Sequence, residues 1–201
     1  MKAMTFIHKQ LDIQRNYFVV IFLILQVLFR GQDVLAQEEK IIQQLEQLIR
    51  PVESKIMANE YYLNEHKINA KRFSLHQPGY FQYFERYYFT PDKRPGQNRE
   101  ILLKSVITRI EKEEKIYFRK YIFDDEAQLI YYTEREADVA EAPQNETRVY
   151  IYKNQLIKYM SNEAEEDKNQ EALRQKTVII LDEALQYQQK FKEQMQNIQY
   201  Y

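Results

Sequence analysis

Arg119-Lys120-Tyr121-Ile122-Phe123-Asp124-Asp125-Glu126-Ala127-Gln128-Leu129-Ile130-Tyr131-Tyr132 is the stretch that decides the fold of this 201-residue chain. Two runs of aromatic and β-branched residues flank a short acidic break, which is the pattern of two strands and a turn. So few residues cannot make a parallel crossover, which needs about a dozen, and the two runs therefore pair antiparallel. Downstream, Arg148-Val149-Tyr150-Ile151-Tyr152, the tight corner Lys153-Asn154 and Gln155-Leu156-Ile157-Lys158-Tyr159 spell the same hairpin again. Upstream, Arg86-Tyr87-Tyr88-Phe89 reads as a weaker copy of its first strand. So few copies do not make a propeller or a solenoid. They predict a meander of similar hairpins.

Working outward, strands are expected at Tyr80–Thr90, Glu100–Ile110, Lys115–Asp124, Gln128–Glu134, Thr147–Lys153 and Gln155–Met160. On the N-terminal side, Ile41, Leu45, Leu48, Val52 and Ile56 recur at helical spacing, which predicts helix over 37–66. Pro51 lies inside that stripe and is expected to kink or divide the helix near Arg50, since proline lacks the amide donor and crowds the preceding turn. On the C-terminal side, Asn162 and Glu165 stand at capping-box spacing. The stripe Leu173, Ile180, Ala184, Tyr187, Phe191, Met195 and Ile198, broadened by Leu181 and Leu185, then predicts a helix over 162–198. The β-branched cluster Thr177-Val178-Ile179-Ile180 is the one place where that helix could break. The fold class expected is α+β, an antiparallel meander sheet of five or six strands packed against an N-terminal and a long C-terminal helix.

The chain opens with a basic segment carrying Lys2, Lys9 and Arg15, and then runs apolar from Tyr17 to Phe29 with only Gln26 interrupting. That run is short of the roughly 20 residues a spanning helix needs and has the length of a signal-peptide core. Val34-Leu35-Ala36 follows a polar segment, so residues 1–36 are expected to be a signal peptide cut between Ala36 and Gln37. The expected address is secreted or periplasmic, with 37–201 as one α+β domain and no membrane span after cleavage. The alternatives are an uncleaved N-terminal anchor and a buried helix of a cytosolic domain.

Whole-chain net charge is −1, and without residues 1–36 the chain carries 25 basic against 28 acidic side chains. Such a balance lacks the electrostatic footprint of a nucleic-acid binder. Absence of cysteine removes disulfides, thiol nucleophiles and thiolate ligands. His66 and His76 stand in no metal-binding spacing, and His8 leaves with the signal. Asp124-Asp125-Glu126 lacks the staggered oxygens and glycine of a calcium loop. Ser54, Ser74, Ser105 and Ser161 sit in no nucleophile elbow. Glu111, Glu113 and Glu114 fall in an expected turn, where carboxylates stay solvated. No catalytic, cofactor or metal residue is assigned on these grounds. Asn145-Glu146-Thr147 fits a glycosylation sequon, which matters only in a eukaryotic exporter.

The richest stretch is Tyr80–Phe89, where seven of ten residues are aromatic. Strand alternation buries every second position, so part of this set faces solvent or a covering helix. Tyr80, Tyr83, Arg86, Tyr87 and Tyr88 are the candidate binding surface, amphipathic tyrosines with a charged anchor.

The paired hairpins at Tyr121 to Ile130 and Tyr150 to Ile157, followed by a terminal helix, resemble a type of small exported bacterial protein of uncharacterised function. There a Tyr-x-Phe strand, an acidic turn and a Leu-Ile pair recur, with a glycine ahead of the pair; here Ala127 and Asn154 replace it. The resemblance implies export and the α+β order, and no activity. The expected function is an exported non-enzymatic binding or interaction domain whose partner is a protein, peptide or glycan of unknown identity. The alternatives are an envelope polysaccharide or peptide hydrolase using carboxylates, and a structural component that oligomerises through its C-terminal helix.

Overall fold

The computed structural model describes residues 36–68, 81–91, 101–112, 115–138, 145–168 and 170–198. Residues 1–35 of the expected signal segment lie outside the described residues; Ala36 and Gln37, which flank the expected cut, are described. Helix α1 covers 36–57. The strands are β1 Tyr62–Ile68, β2 Phe81–Pro91, β3 Ile101–Lys112, β4 Lys115–Phe123, β5 Leu129–Asp138, β6 Asn145–Tyr152, β7 Gln155–Ser161 and β8 Ala164–Glu165, and helix α2 is Glu171–Ile198. All eight strands lie in one open sheet in chain order, with every neighbouring pair antiparallel. By contacts the chain divides into Met1–Ile41 and Ile42–Tyr201, and everything described below belongs to the second unit.

The α+β class and the antiparallel meander match the expectation, but five or six strands undercount the sheet by β1 and β8. Helix α1 ends at 57, not 66, because Asn59 takes a left-handed backbone, φ 56°. The amide of Glu60 then reaches back to the Lys55 carbonyl at 2.9 Å and that of Asn59 to Ile56 at 3.2 Å, a Schellman-type stop. The freed chain becomes β1. Pro51 does not divide the helix, which is continuous across it. The buried stripe is Leu45, Ile49 and Val52; Leu48, expected inside, is half exposed.

Asn162 does not cap α2. Asn162 and Glu163 both have positive φ, 49° and 68°, and form the two-residue turn between β7 and β8. The side chain of Asn162 accepts the Glu146 amide at 3.0 Å, which fixes this turn to β6. Helix α2 therefore starts at Glu171 and runs unbroken through Thr177–Ile180. Thr177 donates its hydroxyl to the Leu173 carbonyl at 2.7 Å, the bond that lets a buried threonine sit in a helix.

The repeated spelling has a geometric meaning. Hairpins β2–β3, β4–β5 and β6–β7 each carry a register shift at an equivalent level, between Tyr88/Phe89, Ile122/Phe123 and Tyr150/Ile151. The extra residues opposite these shifts are Lys104, Ile130 and Ile157. The Ile of each Leu-Ile pair is thus a bulge residue, and a row of bulges increases sheet twist. The copies of the first strand are offset by one from the spelled alignment. Phe123 pairs with Leu129 across five loop residues, while Ile151 pairs with Leu156 around the two-residue corner Lys153-Asn154. A one-residue slip changes faces, so Tyr121 lies under α2 and Tyr150 lies on the other side.

Helix α2 crosses the strands. Lys176 sits over the Tyr159 ring of β7, Tyr187 packs on Tyr121 of β4 and Tyr87 of β2, and Gln194 receives the Asn64 amide of β1 at 3.0 Å. Its underside, Ile180, Ala184 and Phe191, closes a core with Tyr87, Val106, Tyr121, Phe123, Tyr132 and Val149. Helix α1 is fastened to the opposite face by Tyr150, which donates to Glu46 at 2.6 Å, and by the Lys120–Glu53 ion pair. The sheet is therefore buried on both faces at its middle, and α1 leaves part of its own face open.

Candidate functional site

Two polar arrangements stand out, one on each face of the sheet. Beneath α2, Glu85 is almost wholly buried. It accepts from Tyr83 at 2.5 Å, from Tyr87 at 2.9 Å and from Lys190. His66 Nδ1 lies 4.0 Å away. Burial pushes the Glu85 pKa up, but the hydrogen bonds from Lys190, Tyr83 and Tyr87 outweigh it and hold the carboxyl below its ordinary value. Further along the helix, Glu183 accepts from Tyr121 at 2.6 Å and Arg119 at 3.2 Å, and Arg119 also reaches Glu134 at 2.9 Å. Burial, with the Glu183 bond next, drives the Tyr121 phenol far above the usual tyrosine range. Each acid of this seam is engaged by a cation or a tyrosine. The seam locks α2 to the sheet.

The opposite face carries a different pattern. Strand register sets Lys67 beside Phe84, Phe84 beside Arg109, Arg109 beside Phe118, Phe118 beside Arg135 and Arg135 beside Glu146. One row across six strands thus alternates cation and ring before ending on an acid. Lys67 Nζ is 5.9 Å from the Phe84 centroid, and the Arg109 guanidinium lies 5.8 Å from Phe84 and 5.5 Å from Phe118, all within cation–π range. Phe118 keeps 37% of its surface exposed. Between the two rings lies a hollow of about 150 Å³, lined also by Arg86 and Ile107. Arg109 Nε is buried with no hydrogen-bond partner among the described residues.

The cations here are partly neutralised. Glu65 accepts from Lys67 and Arg86, both at 2.5 Å, Glu111 pairs with Arg109, and Glu146 pairs with Arg135 at 2.8 Å and Arg148 at 3.0 Å. With Glu163 also 3.7 Å from Arg148, five cations face four carboxylates, a local excess of one positive charge on a chain whose net charge is −1. Glu111, expected in a solvated turn, is a buried residue of β3, because that strand runs on to Lys112.

The candidate surface read from the sequence is split by this geometry. Tyr80 lies outside the described residues. Tyr83 is half-buried under α2 and Tyr87 is fully buried against Tyr187 and Phe191. Tyr88 is buried on the other face. Arg86 alone is well exposed, beside the hollow and bonded to Glu65. Sequence reasoning missed Lys67, Phe84, Arg109, Phe118 and Arg135, which lie on five different strands. One link is short-range: with Lys112 paired to Lys115, counting back along the two strands puts Arg109 opposite Phe118. The others needed the long-range register.

Among the described residues no group of three or more His, Asp or Glu side chains is placed to hold a metal ion. No helix among them is long and apolar enough to cross a membrane. No family model matches the chain, and neither a curated protein nor a solved structure matches it.

Proposed function

We propose that this chain is an exported, non-enzymatic binding domain that takes its partner on the open face of the sheet beside α1. The observation that carries this reading is the row of half-exposed rings and cations from Lys67 to Arg135, in place of a buried apolar layer. Exposed aromatic rings flanked by arginine are the composition of binding surfaces. Support also comes from the carboxylates: Glu85, Glu111, Glu134, Glu146 and Glu183 are each engaged by a cation or a tyrosine, which leaves none poised as a general base. The export half of the proposal rests on the N-terminal segment and on the resemblance to small exported bacterial proteins.

A photoreactive phenylalanine analogue placed at Phe118 in the native cell tests the surface, with the same analogue at Leu185 of α2 as control. An adduct from position 118 and none from position 185 is the expected result; no adduct from position 118 would remove the assignment. An intact mass beginning at Gln37 in the soluble envelope or the medium tests the address.

A second reading has its own observation. Val178, Ile179 and Leu185 of α2 are all more than half exposed, and Val178, Leu181 and Leu185 border a groove of about 310 Å³ beside Leu129. This favours a structural role in which α2 pairs with another chain. A monomeric mass by light scattering together with an adduct at Phe118 would decide for the first reading.

A further inference from the structure

We infer that the Lys67–Arg135 row is a binding site for an acidic polysaccharide, a linear chain bearing uronate or sulfate groups. This deepens the proposed function and rests on it. Phe84 and Phe118 stand on strands two apart, which places their rings about 9–10 Å from one another along the row. An extended β-linked polysaccharide returns the same sugar face every second residue over a similar length. Each ring offers an apolar platform to the C–H face of a pyranose, and between the rings lies the Arg109 guanidinium.

The charge pattern favours the acidic class. A neutral sugar has no use for five cations. A carboxylate or sulfate on the sugar above Arg109 would meet the guanidinium from the open side, where the hollow between the rings has room for one such group. The Arg109 side chain keeps 39% of its surface exposed at that point, although its Nε is buried and its Nη2 is paired with Glu111. Anions held by guanidinium gain geometry as well as charge, which lysine does not provide. Arg86 borders the same hollow, and Lys67 and Arg135 continue the row on either side at the spacing a repeating anion needs.

Other polyanions fit less well. A peptide that docks by strand addition needs an unpaired sheet edge, and β2, β3 and β4 are interior strands with both neighbours in place. A nucleic-acid strand carries a phosphate on every nucleotide and demands a stronger positive field than five cations offset by four acids provide.

Affinity electrophoresis of the full chain through gels containing polygalacturonate, dextran sulfate, dextran, polyglutamate or single-stranded DNA tests this. Retardation by the two acidic polysaccharides, weakening steeply as salt is raised, is expected. Dextran should bind at least about ten-fold more weakly, the size expected when a charge-assisted contact is missing. Arg109→Gln and Arg135→Gln should each cost about ten-fold, and Phe118→Leu about five-fold; thermal melting should be unchanged in the last two, whereas Arg109→Gln lowers it because the buried Glu111 loses its cation. Arg109→Lys should recover only part of the loss, because it restores charge without the planar fork. Equal retardation by dextran, polyglutamate or DNA would overturn the inference, as would no response to either acidic polysaccharide. An adduct at Phe118 without polysaccharide binding would leave the open face as a binding surface and remove only its ligand class; failure of both would remove both.

Discussion

Ala127 is the residue at which local strain is most legible. It closes the β4–β5 turn with φ 59°, a conformation that brings the side chain of an L-residue against its own backbone. The turn holds because Asp124 accepts the amides of Glu126 at 2.9 Å and Gln128 at 2.8 Å, and Gln188 of α2 caps the Ala127 carbonyl at 2.6 Å. Asn154, at the equivalent place in the β6–β7 hairpin, has φ 60°, so both residues two places ahead of the leucine of a Leu-Ile pair take a left-handed backbone. Ala127→Gly should therefore raise stability by about 0.5–1 kcal/mol after the extra chain entropy of glycine is subtracted, or about 1–4 °C in Tm. Urea midpoints of the two proteins check this, and a loss of stability would show that the turn tolerates alanine without strain. Asn59 and Asn162 are read the same way: each is an asparagine at positive φ that ends one element and starts another. Their preference for turns is a local property visible in sequence, and it was the capping-box spacing after Asn162 that misled.

At the scale of elements, α2 is held by two kinds of contact along one helix. Phe191 stacks on Tyr87 at 5.8 Å and packs on Phe89 at 5.3 Å, at the β2 end of the core. Ile179 belongs to the same helix and is 57% exposed. Phe191→Ala should cost about 3–5 kcal/mol, whereas Ile179→Ala should stay within about 0.5 kcal/mol. Chemical denaturation of both variants measures the difference, and equal losses would mean that α2 docks in another rotation. Composition alone does not separate the two, since both are large apolar residues; only the rotation of the helix on the sheet does. The same holds for Leu48 and Ile49 of α1, adjacent apolar residues of which one is half exposed and the other buried.

For the whole molecule, the buried acids and phenols set a pH window. Hydrogen bonds from Lys67 and Arg86 hold Glu65 below the ordinary 4.5. For Glu85 and Glu146 burial acts upward, and the bonds from Lys190, Tyr83 and Tyr87, and from Arg148 and Arg135, prevail in the downward direction. A carboxyl depressed on folding contributes stability that is present above the unfolded value and is lost as pH falls through the folded one. Tyrosines shift the opposite way: burial, with Glu53 next, pushes Tyr131 up to about 12, and burial likewise raises Tyr87, Tyr121, Tyr132 and Tyr150. A phenol raised on folding gives stability that is intact below the unfolded value of 10.0 and fades as pH climbs past it. Denaturation midpoints should thus form a plateau that falls off below about pH 4.5 and above about pH 10. Glu85→Gln should make the acid limb shallower, and an unchanged limb would remove Glu85 from the account.

By itself the sequence determined the class of the fold, six of the eight strands, the antiparallel order, the places of both helices and the repeat of the hairpin, because these follow from side-chain periodicity and from loops too short for a crossover. It could not determine which face each residue takes, since face depends on register. Register depends in turn on the length of each turn and the position of each bulge, and one residue more or less sends Tyr121 to one side and Tyr150 to the other. The aromatic cluster around Tyr87 drew attention for its density and proved to be core. The row from Lys67 to Arg135 is spread thinly along the chain and exists only once five strands are in register, so tertiary structure alone decided where the open surface of this protein lies.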